Sequence, residues 1–495
     1  MTDTLRPYQT EARYQMNTLL NASRHPVYVA PTGTGKTRTA VSIIADRVSL
    51  GHRVYVLTPQ DEIFGQWIKA LAAEGLNPGT LSRGGIKGRD RSVYVCMPMT
   101  LVNILPYIPE AIYPDEIITD ECQHSSADTW ETIYRFFSSA SRWGLTATPR
   151  RTDGKGLDHL YTDIVETITM AEAINHDPPF LARPLPIVPK IYLDKIPIVN
   201  GEFDTAYQAE ELGKTQIVGD VIESYTTVFS GLPILVACST FDHAKDMTEQ
   251  FNSAGWRFEH IHSGLHFRER RRMLREIVSG RLNGLCTVGI GIEGMDIPGL
   301  YGLIWLRRTM SLTVYLQFIG RVLRPMQGKE NGIILDPVGN LFIHGFPEMK
   351  RAWSLSGSVN EPEPGEINQA ATMRICPFCG VANAAVNAVC HFCGAELDSE
   401  EAKRARRRKL PAIVDGELVA VESDGQAEEI RQRAERIKEE RARQEEERNR
   451  KKQEAIETDD GTGAGLSKAE RAAILRAGLL DEKRKLFREA VKNYL

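Results

Sequence analysis

Short runs of β-branched and aromatic residues, bounded by turn formers, recur along the first part of the chain. Val27-Tyr28-Val29 and the runs at 53–57, 93–96 and 116–119 are too short for buried helices and predict strands. Between them, 38–48 and 61–73 predict helices. A second set repeats the alternation, with strands over 234–238, 257–261 and 285–288 and helices over 242–253 and 266–278. Strand and helix in alternation predict parallel sheets covered by helices on both faces, with ligands at the carboxyl ends of the strands. The stretch joining the two sets, 177–190, carries Pro178, Pro179, Pro184, Pro186 and Pro189 and predicts a linker or an edge segment. After residue 350 the pattern changes. A polar linker over 356–365 precedes a cysteine-containing stretch, and 428–457 is dense in Glu, Arg and Gln, which predicts a lone solvated helix. Leu486, Phe487, Ala490, Val491, Tyr494 and Leu495 then give the last helix an apolar face that needs a partner, in cis or in a second protein.

Composition narrows this picture. A chain of 495 residues implies about three or four domains. Its 42% hydrophobic and 25% charged residues are ordinary for a globular protein. The net charge of −4 does not itself announce a nucleic-acid binder, although the basic run at 403–409 is suited to phosphate. No apolar stretch reaches about 18 residues and the start of the chain lacks a signal pattern, so no membrane span and a cytoplasmic location are expected. Of the eight cysteines, Cys96, Cys122, Cys238 and Cys286 are scattered. Cys376, Cys379, Cys390 and Cys393 form two CxxC pairs, each followed by glycine, which is the spacing of a zinc site, with a redox pair or an iron–sulfur site as alternatives.

Candidate chemistry starts at Ala30-Pro31-Thr32-Gly33-Thr34-Gly35-Lys36-Thr37, set between a strand and a helix. Gly33 and Gly35 let the backbone curl so that N–H groups of Thr32 to Thr37 face an anion. Lys36 adds a point charge for phosphates, and Thr37 a hydroxyl for Mg²⁺. Ala30 stands where the usual pattern has its first glycine. The strand at 116–119 delivers Asp120 and Glu121, suited to Mg²⁺ binding and to polarising an attacking water. Upstream, Leu5-Arg6-Pro7-Tyr8-Gln9 offers an amide able to read adenine, making Arg6 and Gln9 candidate nucleotide contacts, with a plain helix start as the alternative. Far down the chain, Gln317, Arg321 and Arg324 share one face of a predicted helix, where paired guanidinium groups suit a γ-phosphate and a solvated face is the alternative.

Taken in order, LRPYQ, APTGTGKT, LTPQ, DECQH and TAT, then ILVACST, TVGIGIEGMDIP and QFIGRVLR, resemble the motifs of superfamily 2 helicases over residues 5 to 345. The resemblance is to the DEAD/DEAH-box branch near the XPB-like and type III restriction-motor group. In one departure, Gln123 takes the fourth place of the DExH box and His124 follows it, which leaves the subfamily and its interdomain contact open. The resemblance implies an α/β chain of two tandem RecA-like parallel-sheet domains, then a small zinc ribbon and a helical tail. The expected divisions are 1–175 and 214–350 for the two motor domains, joined by a linker over 176–213. They continue with a linker over 351–370, the ribbon over 371–397, a charged linker and helix over 398–465, and an amphipathic helix over 466–495. It further implies ATP, Mg²⁺ and Zn²⁺ as ligands, and a nucleic-acid-dependent ATPase acting on DNA in preference to RNA. By the same resemblance Arg321 and Arg324 would sense the γ-phosphate, and Gly294 and Asp296 would lie near the ribose. Thr58, Gly84, Gly85, Thr100 and Thr287 would touch the nucleic-acid backbone. The alternatives are an RNA helicase, or an ATP-gated clamp on duplex that does not unwind.

Overall fold

The computed structural model describes residues 5–356 and 373–399, apart from 83–84, 89, 126–127, 151–155, 189–195, 200, 263, 289–296, 298 and 327–328, together with two strands at 412–414 and 417–419. Gly84, Gly294, Asp296, the charged helix and the terminal amphipathic helix therefore lie outside the described residues.

Two compact units divide the chain, Met1–Thr372 and Met373–Leu495. The first holds two sheets. Strands β1 (Pro26–Val29), β2 (Val54–Leu57), β3 (Gly79–Ser82), β4 (Gly85–Lys87), β5 (Val93–Cys96), β6 (Glu116–Asp120), β7 (Ser141–Thr146) and β8 (Asp163–Glu166) form one, in the order β4-β3-β5-β2-β6-β7-β1-β8. All neighbours pair in parallel except the β3–β4 hairpin at the edge. The second sheet combines β9 (Arg183–Ile187), β12 (Ile234–Cys238), β13 (Phe258–Ile261), β14 (Gly284–Thr287), β15 (Gly302–Leu306) and β16 (Asn331–Leu335), in the order β13-β14-β12-β15-β16-β9 and parallel throughout. A small hairpin, β10 (Ile198–Val199) with β11 (Glu202–Phe203), precedes its helices. The central strands are buried at every position, as helices on both faces require.

The proline-rich stretch contributes β9 at the edge of the second sheet. Arg183 donates its N–H to Glu330 O at 2.9 Å, whereas Pro184 and Pro186 occupy the alternate positions, whose missing N–H groups would face the open edge.

The second unit contains the antiparallel pair β17 (Met373–Ile375) and β18 (Ala382–Ala384), and the pair β19 (Ala412–Val414) and β20 (Glu417–Val419). Phe378 and Phe392, aromatic residues that so small a fold would be expected to hold in its core, stand outside it. They are 49% and 50% exposed, because each stands in the turn of its CxxC knuckle while Met373, Val381, Ala382 and Leu397 fill the interior.

Candidate nucleotide cleft and cysteine cluster

The loop after β1 turns through two left-handed glycines, Gly33 at φ +93° and Gly35 at φ +89°, a conformation costly for any residue with a Cβ. Gly35 begins the helix Lys36–Ser49 without a side-chain cap, so the first-turn N–H groups stay available to an anion. Lys36 Nζ donates to Ala30 O at 3.1 Å. Gln9, almost fully buried, accepts from Arg6 N–H at 2.9 Å and donates to Thr34 O at 3.3 Å and Gly35 O at 3.4 Å. Tyr8 O–H also donates to Thr34 O. The Arg6 guanidinium lies 4.3 Å over the Phe180 ring. The Gln9 amide nitrogen thus fastens the loop, while its oxygen closes the start of its own helix at Arg6.

Across from Lys36, β6 ends in Asp120, and Glu121 adopts a left-handed conformation at φ 52° and ψ 53°, worth about 1–2 kcal/mol of strain for a residue with a Cβ. Trp67 Nε1 donates to Asp120 Oδ2 at 2.8 Å, and the Glu121 N–H to Asp120 Oδ1 at 3.0 Å. Burial pushes the Asp120 carboxyl up to about 6, helped by the neighbouring Glu121 charge and opposed by the Trp67 bond and Lys36. Burial also lowers the Lys36 ammonium, against Glu121 and Asp120, which favour its charge, and together with Arg321 and Arg324, which oppose it.

Those arginines come from the second sheet. They line one cleft of about 440 Å³ together with Thr32, Gly33, Gly35, Lys36, Thr37, Gln66, Asp120, Glu121, Gly299 and Leu300. Among the described residues three cations face two carboxylates there, a balance suited to a triphosphate with one divalent ion. Asp120 and Thr37 supply hard oxygen donors that fit Mg²⁺. Burial lowers the Arg324 guanidinium to about 10, still charged at neutral pH. The walls touch: a Cβ on Gly320 would lie 2.6 Å from Thr32 Cβ, and one on Gly33 3.4 Å from Arg324 Cγ. The expected helix through Arg324 is corrected, since it runs Leu312–Val322 with Leu323 as its cap. Pro325 disfavours helical backbone at the residue before it. Gln317 sits buried within that helix.

A hydrogen-bonded chain, invisible in the sequence, crosses the cleft. Glu121 Oε2 accepts from Gln123 Nε2 at 2.9 Å, and Gln123 Oε1 from Thr146 Oγ1 at 2.7 Å. Thr148 N–H donates to Thr146 Oγ1 at 3.0 Å, and Thr148 Oγ1 to Thr313 Oγ1 at 3.2 Å, on the helix that carries Arg321.

The expected strand contacts lie at carboxyl ends of strands. Thr58 follows β2, Thr100 lies in the helix Pro98–Ile104 after β5, and Thr287 ends β14. Thr58 and Thr287 are fully buried, with hydroxyls that find no partner among the described residues, and Gly85 is exposed at the edge hairpin.

In the second unit, the sulfurs of Cys376, Cys379, Cys390 and Cys393 all lie within 4.8 Å of one another. Cys376–Cys393 and Cys379–Cys390 are each 3.7 Å apart. Tetrahedral zinc with Zn–S near 2.3 Å needs separations of about 3.8 Å, so the four thiols fit it. Asn383 Nδ2 donates to Cys390 Sγ at 3.5 Å, and Asn383 Oδ1 accepts the His391 N–H at 3.0 Å. Burial raises the Cys390 thiol, but N–H groups of Cys393 and Phe392 and the Asn383 amide outweigh it and bring it to about 7.

No described helix is long and apolar enough to cross a membrane. Residues 2–151 match the family described as type III restriction enzyme, res subunit, and residues 214–326 the helicase conserved C-terminal domain. A 51.5 kDa protein of Lactococcus phage (isolate 7-9) is 30% identical over 356 residues, covering 71% of this chain and 73% of that protein. A protein of Sulfolobus islandicus filamentous virus (isolate Iceland/Hveragerdi), provisionally named helicase 22, is 25% identical over 369 residues, 67% of this chain, which spans 65% of its length. Among solved structures, the type ISP restriction-modification enzyme LlaBIII bound to DNA aligns with TM-score 0.49 and 16% identity, over 68% of this chain and 28% of that one. The chain belongs to the superfamily 2 helicases and carries a type III restriction-like motor.

Proposed function

We propose that this chain is an ATP-driven motor on nucleic acid, acting on DNA in preference to RNA. One observation carries the reading: Lys36, Asp120 and Glu121 on one wall and Arg321 and Arg324 on the other face a single cleft. ATP would seat its phosphates on Lys36 and the uncapped helix start. Thr37 and Asp120 would hold Mg²⁺, which neutralises phosphate charge when bound. Glu121 would orient and polarise the attacking water, while Arg321 and Arg324 would meet charge developing on the γ-phosphate. A γ-phosphate held from both walls favours closure, and its release favours opening. Walls that grip a strand differently in the two states would then move along it. The preference for DNA is supported by the restriction-enzyme family matched by the first domain.

The test is ATP turnover with single-stranded DNA, duplex, forked DNA and RNA at one stated salt concentration, with strand displacement followed in parallel. DNA is expected to stimulate turnover. Stimulation by RNA alone would move the assignment to an RNA helicase, and stimulation by duplex without displacement to a clamp. If no nucleic acid stimulates turnover, the motor reading fails.

A further inference from the structure

Lys329 lies between the helix Leu312–Val322 and β16. Its ammonium donates to Leu300 O at 2.6 Å, to Arg324 O at 3.2 Å and to Val322 O. Three donors thus meet three carbonyl acceptors, without a carboxylate among them. Two of those carbonyls belong to the turn that ends the helix and carries Arg321 and Arg324. The third belongs to Leu300, which lines the same pocket as the two arginines. The carbonyl between them, Leu323 O, accepts the Ala182 N–H at 2.8 Å from the connecting segment. The frayed carbonyl end of this helix is therefore closed by one side chain and one backbone group, and a cation there is favoured by the helix dipole.

We propose that Lys329 is a positioning residue for the arginine pair, tying the Arg321–Arg324 turn to Leu300 so that both guanidinium groups stay aimed into the cleft. The inference rests on the proposed role of those arginines. Burial lowers the Lys329 ammonium to about 8. The charged side chains on the elements around it are Arg321 and Arg324 beside the helix end, Arg183 on β9 and Glu330 next in sequence, and none of them offsets that burial. A proton lost there removes a donor from the turn, so arginine-dependent turnover should decline as pH rises through about 8.

The test compares the wild type with Lys329→Met and Lys329→Arg in the full chain, with kcat and KM for ATP measured across that pH range in the presence of single-stranded DNA. Lys329→Met is expected to lower kcat about 10- to 100-fold, the cost of misplacing a catalytic group by roughly 1 Å, with KM within about threefold. Lys329→Arg, which keeps the charge and does not titrate in this range, is expected to retain turnover at neutral pH and to lose the alkaline decline. A folded Lys329→Met variant with wild-type kcat overturns the proposal. So does a Lys329→Arg variant whose alkaline decline coincides with that of the wild type, a comparison that decides the matter even where the Met variant does not fold. Wild-type turnover in Arg321→Ala and Arg324→Ala, by contrast, would remove the arginine reading itself.

Discussion

Asp120 shows how one neighbour sets the chemistry of a carboxylate. Its charge is opposed by burial and by Glu121, and supported by the N–H of Trp67 at 2.8 Å. With a folded value of about 6, Asp120 loses the charge that would hold a cation as pH falls through 6, so turnover is expected to drop there. The nucleotide-free fold responds with the opposite sign. Burial favours the neutral acid, so this group's stabilising contribution is present at low pH and is lost as pH rises through about 6. Trp67→Phe keeps the packing and removes a charge-assisted bond worth about 1.5–3 kcal/mol. The acid limb of the ATPase profile should then move to higher pH and Mg²⁺ affinity should weaken, and an unmoved limb would show that Trp67 does not tune Asp120. At this scale the local motifs were legible: Lys36, Asp120 and Glu121 are announced by a strand and the residues next to them. Trp67, Thr313 and Lys329 were not, because their meaning depends on which distant segment they meet. Arg324 was half legible, since Pro325 already argued against a helix through it.

Elements turn these residues into a device. The helix Leu312–Val322 presents Thr313 to Thr148 of the first domain at its start and Arg321 to the cleft at its end, so one rigid body touches both. Thr148→Val removes the bond to Thr313, worth about 0.5–1.5 kcal/mol. Nucleic-acid-stimulated turnover is expected to fall up to about tenfold with ATP affinity nearly unchanged, while stimulation equal to wild type would show that this contact carries no coupling. Strands of unbroken apolar character were readable at 27–29, 93–96 and 234–238 because burial on both faces leaves no polar alternation to confuse. The edge strand β9 was ambiguous, since its prolines suit an edge and a linker equally well. The cysteine knuckles were plain from spacing, but spacing does not say which way a turn residue points, and Phe378 and Phe392 point outward. Elemental analysis of the purified chain should give about one zinc per molecule, with loss in Cys393→Ser; a metal-free folded second unit would contradict the tetrahedral reading of its thiols.

On the scale of the whole molecule, the two largely parallel sheets matter because they bring residues nearly 300 positions apart in sequence, Lys36 and Arg324, to one cavity. The contact of Gly320 with Thr32 shows walls already close, with no room for a methyl group between them. In the proposed mechanism both walls act on one phosphate. The most direct test of this measures ATP binding and ATP turnover separately in Arg324→Ala, with nucleic acid present. Binding is expected within about tenfold of wild type, because Lys36 and the helix start are untouched, and turnover lower by about 10³-fold or more, as for loss of an arginine finger. Unaltered turnover would contradict it.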